Sequence, residues 1–215
     1  MTRDDSKAAP VRLTLLGVGA MNSPRYAPAG LLIERGKARV MIDGGPDAVP
    51  KGALDAWLVT DDRGELMPQI RKLARAKGVE PRVGSYQSRG LRIEPHAVKH
   101  TSHPSFGYAI RAAGKTAVWA PEFVEFPRWA KGADLMFAEA AGWNRPIRFR
   151  GGVGGHAATL EVAREAAEQD VQRLIFAHIG RPTIRAMDAG QRPPFGEFGK
   201  DGAVYRLDGR LRPRK

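Results

Sequence analysis

The chain has 215 residues, with 35 Lys and Arg against 23 Asp and Glu, and a formal net charge of +12. That length fits one domain, which buries roughly 70% of its unfolded surface and needs no cross-links to fold. Cysteine is absent, which excludes disulfides and thiolate metal sites and fits a reducing compartment.

Residues 1–10, MTRDDSKAAP, read as a loose polar leader without the apolar centre of a secretory signal. No run approaches the ~20 apolar residues of a membrane-spanning helix, so the expected location is the cytoplasm. Residues 11–17 are predicted as a strand. Residues 30–34 and 38–43 give two more, joined by a tight turn at Arg35-Gly36-Lys37. A Gly/Pro loop leads to a buried strand over 54–60. Residues 68–77 place Ile70, Leu73 and Ala74 on one face, which predicts a helix beginning at Pro68 and stopping at Gly78. Strands follow near 91–99, 107–112, 116–120 and 133–138. Residues 159–169 predict a second helix, opened by Thr159. Residues 173–179 form a buried strand, and a last strand fits 203–207. From about 180 the composition is rich in Gly, Pro and Arg and reads as a C-terminal extension of a single domain over 11–215. Strands dominate each half and a helix closes it. Two mixed sheets face to face with helices outside bury both sheet faces, which is an α/β class, αββα sandwich.

The basic excess favours anionic partners such as phosphates, nucleic acid or acidic membranes, or else marks a solvated Arg-rich surface. Only five histidines are present: His96, His100, His103, His156 and His178. His178 ends an apolar strand. His156 stands among Gly151, Gly152, Gly154 and Gly155, where the backbone comes close to a ligand or leaves no room for side chains. His100 and His103 share one irregular segment. Carboxylates suited to a divalent ion are Asp61, Glu65 and Glu122, with Glu139 as a further polar candidate at a strand end.

Taken in order, LTLLGVGAMNSPRYAPAGLLIERGKARVMIDGGPDA, LVTDDRGEL, HTSHPSFGYAI, KTAVWAPEF and GGHAATLEVAREAAEQDVQRLIFAHIG resemble the metallo-β-lactamase-fold hydrolases, especially the branch with RNase Z and small phosphodiesterases. The likeness covers roughly residues 11–185. It implies the αββα sandwich and a metal motif His-x-His-x-Asp-His after the strand that ends in Thr60. Here the four ligand positions hold Asp61, Arg63, Glu65 and Leu66. A guanidinium cannot ligate, and Leu66 removes a ligand outright. Arg63 instead suits either an ion pair with Asp61 or Glu65 or a bidentate clamp on a substrate phosphate. The resemblance further implies metal ligation by His178, by Glu122 in place of a bridging Asp, and by His100 with His103 as the alternate. It implies proton transfer by His156 and an architectural role for Asp43.

The expectation is a metal-dependent hydrolase acting on a phosphodiester or related ester, with a reduced site. That site would hold one divalent metal, zinc or, given the carboxylates, manganese or magnesium, and no organic cofactor. The metal set is His178, His100, His103, Glu122, Asp61 and Glu65, and the catalytic pair is His156 and Arg63. The partner is an anionic small molecule or phosphodiester, with no membrane, and a homo-oligomer is left open. The alternative is a degenerate paralogue that keeps the cleft to bind a ligand or nucleic acid. In that case the basic helix 68–77 and the tail 206–215 would contact phosphates.

Overall fold

The computed structural model describes residues 10–207, so the leader and the end of the basic tail lie outside the described residues. The first half contains β1 (Val11–Gly17), β2 (Gly30–Arg35), β3 (Ala38–Asp43), β4 (Ala56–Leu58), α1 (Met67–Arg75), β5 (Pro81–Arg82), β6 (Tyr86–Ser88) and β7 (Leu91–Val98). The second half contains β8 (Ser105–Ala112), β9 (Lys115–Ala120), β10 (Leu135–Ala140), β11 (Ile147–Arg148), β12 (Gly155–His156), α2 (Thr159–Glu168), β13 (Leu174–Ile179), α3 (Arg181–Asp188), β14 (Glu197–Phe198) and β15 (Val204–Leu207). No helix among the described residues is long and apolar enough to cross a membrane.

The strands form one sheet of order β15-β1-β2-β3-β4-β5 and another of order β14-β13-β10-β9-β8-β7-β6, with β11 and β12 as a separate hairpin. Both large sheets mix parallel and antiparallel pairs. Antiparallel β8 and β9 meet at Ala113-Gly114, where both residues have positive φ (51° and 71°). A two-residue turn of that kind matches the right-handed twist of the strands it joins.

Alternating apolar residues explain the layers. Leu13, Leu15, Leu31, Ile33, Val40 and Ile42 from the first sheet meet Tyr108, Ile110, Trp119, Phe137 and Phe176 from the second in one continuous core. Each such side chain contributes about 1.5–3 kcal/mol when fully withdrawn from water. A smaller cluster joins Leu32, Met41 and Trp57 to Met67, Ile70 and Ala74 of α1, which covers the outer face of the first sheet. On the far side α2 lies against β10 and β13. The sandwich expected from the sequence is therefore the observed architecture.

Several details differ from expectation: β4 covers only Ala56–Leu58 of the expected 54–60, and the short strands β5, β6, β11, β12 and β14 have no counterpart in the sequence reading. Thr159 does not cap α2; Ala158 stands at the cap with extended backbone. The Thr159 hydroxyl instead donates to the Gly142 carbonyl at 2.6 Å and meets the Thr183 hydroxyl at 3.2 Å, joining α2 to α3. The segment after 180 is also more ordered than its Gly, Pro and Arg content suggests. It forms α3, with Pro at the first turn, and supplies an edge strand to each sheet.

Candidate active site

Strand ends and loops of both sheets meet in a cleft of about 710 Å³. Asp43 ties its floor together. This residue ends β3 at φ 54°. One carboxylate oxygen accepts from the Thr60 backbone at 2.7 Å and the Thr60 hydroxyl at 3.0 Å. The other accepts from the Trp119 indole, across the sandwich, at 2.7 Å. The Asp43 carbonyl accepts from Trp57 at 2.8 Å. Burial raises its carboxyl pKa to about 7, against the opposing pull of the Trp119 and Thr60 hydrogen bonds. The architectural reading of Asp43 fits this web of contacts, which sets the start of the Asp61 loop.

His178 owes its direction to an irregularity in the sheet. Between β10 and β13 the register passes from Ala138 opposite Phe176 to Ala140 opposite Ile179. Three residues on β13 thus run against two on β10, and His178 takes up the excess at φ 56°. Bulges re-aim side chains in this way, and a non-glycine residue in that region costs about 1–3 kcal/mol.

Glu139 is completely buried within the same irregularity. One carboxylate oxygen accepts from the Phe123 backbone at 3.2 Å and His156 Nδ1 at 2.7 Å. The other accepts from the Ala141 backbone at 2.8 Å and His178 Nδ1 at 3.2 Å. Glu139, His156 and His178 have ligand atoms within 4.8 Å of one another and could hold a metal as a group. With four donors already on its two oxygens, Glu139 is better suited to orienting the two imidazoles. Each then presents Nε2 outward, the arrangement by which a carboxylate fixes a metal-binding histidine.

Glu122 completes the cluster. His178 Nε2 lies 2.7 Å from one of its oxygens and His100 Nε2 lies 3.3 Å from the other. His100 Nδ1 faces the Gly155 carbonyl at 2.9 Å. The His100 and His156 rings are 4.8 Å apart, and those of His156 and His178 5.1 Å. Burial pulls His178 down in pKa, but the charges and hydrogen bonds of Glu122 and Glu139 prevail and carry it to about 10. His100 is likewise raised, with burial outweighed by Glu122. Burial would lift both carboxyls, yet His178 and His100 bring Glu122 well below its ordinary value, and His156 and His178 bring Glu139 to about 2. Without a metal the cluster is thus a set of mutually paired charges, with Glu122 and Glu139 held as carboxylates against His178 and His100.

The sequence candidates divide in space. His178, His156, Glu122 and His100 converge, and Glu139 links two of them. Asp61 and His103 form a separate pair at 2.8 Å on the cleft wall. Arg63 and Glu65 line the same cleft and are exposed. Leu66 also lines it, half-buried. His96 lies apart, stacked on Trp129 with ring centroids 4.8 Å away. The central place of Glu139 was only partly visible beforehand, its signal being an acid at the end of the apolar strand Leu-Met-Phe-Ala.

These donors could hold a divalent ion. Two imidazole nitrogens and a carboxylate meet at Glu122, each imidazole held from behind, with His156 beside them. A second ion would need the loop 61–66, where Asp61 is engaged with His103 and positions 63 and 66 carry no ligand.

No protein-family model matches the chain, and no curated protein matches it in sequence. Solved structures do. The metallo-β-lactamase fold protein YhfI from Bacillus subtilis superposes with a TM-score of 0.72 at 17% identity, over 92% of this chain and 100% of that one. A diphosphatase from the PhnP family gives 0.69 at 19% identity, over 92% and 97%. The short form of human tRNase Z gives 0.63 at 15% identity, over 90% and 98%. At these identities the likeness speaks for architecture, and the chain has the metallo-β-lactamase fold.

Proposed function

We propose that this protein is a hydrolase of a phosphodiester or related ester, dependent on one divalent metal. The observation that carries the reading is the meeting of His178 Nε2 and His100 Nε2 on the two oxygens of Glu122. His178, His100 and Glu122 would hold the metal, and the nitrogen-rich set favours zinc. When bound, the metal would supply Lewis-acid polarisation of the ester and acidify a water. Glu139 keeps His156 oriented through Nδ1, so Nε2 is the atom that hands a proton to the leaving oxygen. Asp43 holds the loop that carries Arg63, the residue suited to an anionic oxygen of the substrate. Architecture shared with a diphosphatase and a tRNase Z supports phosphoester chemistry without naming a substrate.

Elemental analysis of tag-free protein, together with hydrolysis of bis(4-nitrophenyl) phosphate, tests the reading. One ion per chain is expected, with His178→Ala losing both the ion and turnover while remaining folded. Two fully occupied ions per chain would overturn the single-metal site. A metal-loaded protein with no turnover on any phosphoester would favour the second reading, a degenerate paralogue that binds without cleaving. The replacement of motif ligands by Arg63 and Leu66 is the observation that keeps that reading in play.

A further inference from the structure

The positions that lack metal ligands are not idle surface. Arg63 lies on the cleft and, among the described residues, has no carboxylate partner. Its backbone N–H donates to Asp61 at 2.8 Å, which fixes the loop. The other Asp61 oxygen faces His103 at 2.8 Å, so Asp61 is engaged by His103 and by the Arg63 backbone. Arg181 lines the same cleft and also lacks a carboxylate partner among the described residues.

The cleft that Arg63 lines also has an apolar stretch of wall, with Met21, Pro28 and Leu66 among its lining residues. A methyl placed on Gly45 would stand 3.5 Å from both Leu66 Cδ1 and Pro28 Cβ, so these two side chains flank one spot. Met21 lines the same cleft and is 39% exposed, so its side chain is open to a ligand. Water gains nothing from such a wall, whereas an apolar ligand group would cover it. A volume of about 710 Å³ falls in the range of small-molecule pockets.

We propose that Arg63, Leu66 and Met21 form a subsite for a small amphiphilic anion, an aryl or alkyl phosphate ester, with its phosphate at Arg63 and its apolar group against Leu66 and Met21. The inference rests on the hydrolase reading for its use of an ester, but the subsite is defined by binding alone. Such a ligand satisfies both halves of the wall at once. A bare phosphate leaves the apolar half wet, and a neutral phenol leaves Arg63 without a partner.

Titration calorimetry on the purified protein with methylphosphonate and benzylphosphonate tests this, since neither carries a hydrolysable ester. Benzylphosphonate is expected to bind at least about 10-fold tighter, a gain of about 1.4 kcal/mol from the covered ring. Leu66→Asn should erase that advantage and leave methylphosphonate within about twofold. Met21→Ser, at an exposed position where folding is not at stake, should reduce the advantage by a factor of about 3. Arg63→Met should weaken both ligands by about 10-fold and keep their ratio. Equal affinity for the two ligands in the unaltered protein, or no effect of Arg63→Met, would overturn the subsite. The expected binding pattern without any ester hydrolysis would refute the hydrolase reading and uphold the subsite.

Discussion

His100 and Gly155 hold each other twice: the Gly155 N–H donates to the His100 carbonyl at 2.9 Å, and the Gly155 carbonyl accepts from His100 Nδ1 at 2.9 Å. The glycine-rich segment before α2 therefore serves as a splint for a candidate metal ligand. A Cβ on Gly154 would overlap the His100 carbonyl, and Gly155, at φ 152°, would drive one into the Ile147 carbonyl. Gly155→Ala is expected to cost at least about 2 kcal/mol, from strain in a region that suits only glycine. Chemical denaturation measures the loss. Elemental analysis should show weaker metal retention even in molecules that remain folded.

Glu139→Gln preserves shape and removes charge. The amide group must then face one of the donors that the carboxylate now accepts, either His156 with Phe123 or His178 with Ala141. Breaking a buried ionic arrangement on one side costs about 3–5 kcal/mol. Metal affinity should fall by about 10- to 100-fold, as when the support behind a ligating histidine is removed. Unaltered affinity in a competition titration with a chelating dye would show that Glu139 does not orient the ligands.

The metal-free protein should have a defined pH window of stability. Glu139, lowered to about 2, and Glu122, held well below its ordinary value, stabilise the fold fully above the ordinary 4.5 and lose that effect as pH falls through the lowered values. His178, raised to about 10, stabilises fully below its ordinary value of 6.5 and loses that effect as pH rises through about 10. Asp43 acts in the opposite sense to the other carboxyls. Its pKa is raised from 3.8 to about 7, so the folded state holds the proton more tightly and stability declines across that interval as pH rises. Denaturation of the chelator-treated protein is therefore expected to show greatest stability between about pH 4.5 and 6.5. A maximum near pH 9 would contradict the assignment.

Much of this was readable from the chain, and the reason is physical. Strand periodicity and the turn residues place β1 to β3, the β8–β9 hairpin and β13 almost to the residue. His178, His156, Glu122 and His100 each sit where a strand or glycine segment ends, so their convergence follows once the sandwich forms. What could not be read depends on contacts distant in sequence. His100 and His103 are separated in space by their contacts with Gly155 and with Asp61 respectively. The part played by Glu139 depends on a change of register that no local pattern encodes. Helix α3 escaped notice because Arg, Pro and Thr at its start resemble a loop, although Ile184 and Met187 keep helical spacing.

Nucleic-acid binding by the basic surface makes a separate prediction. If duplex DNA is contacted, log affinity should fall against log salt with a slope of about 0.9 for each phosphate neutralised. α1 buries Met67, Ile70 and Ala74 and leaves Arg71, Lys72 and Arg75 exposed, so contact with only a few phosphates and a shallow slope are expected. A slope of six or more in a fluorescence anisotropy titration would restore the nucleic-acid reading.

The additional residue in β13 means that the site is written into the spacing of the strand as well as into the identity of its side chains. Deleting Ala177 would let β10 and β13 pair without interruption from Phe176 onward, a more regular sheet by hydrogen-bonding standards. The histidine would then follow the alternation of the strand instead of departing from it, and would leave Glu122 and Glu139 facing each other without the cation between them. A shortened chain could thus retain every proposed ligand in its sequence, fold well, and still lose the place where those ligands meet.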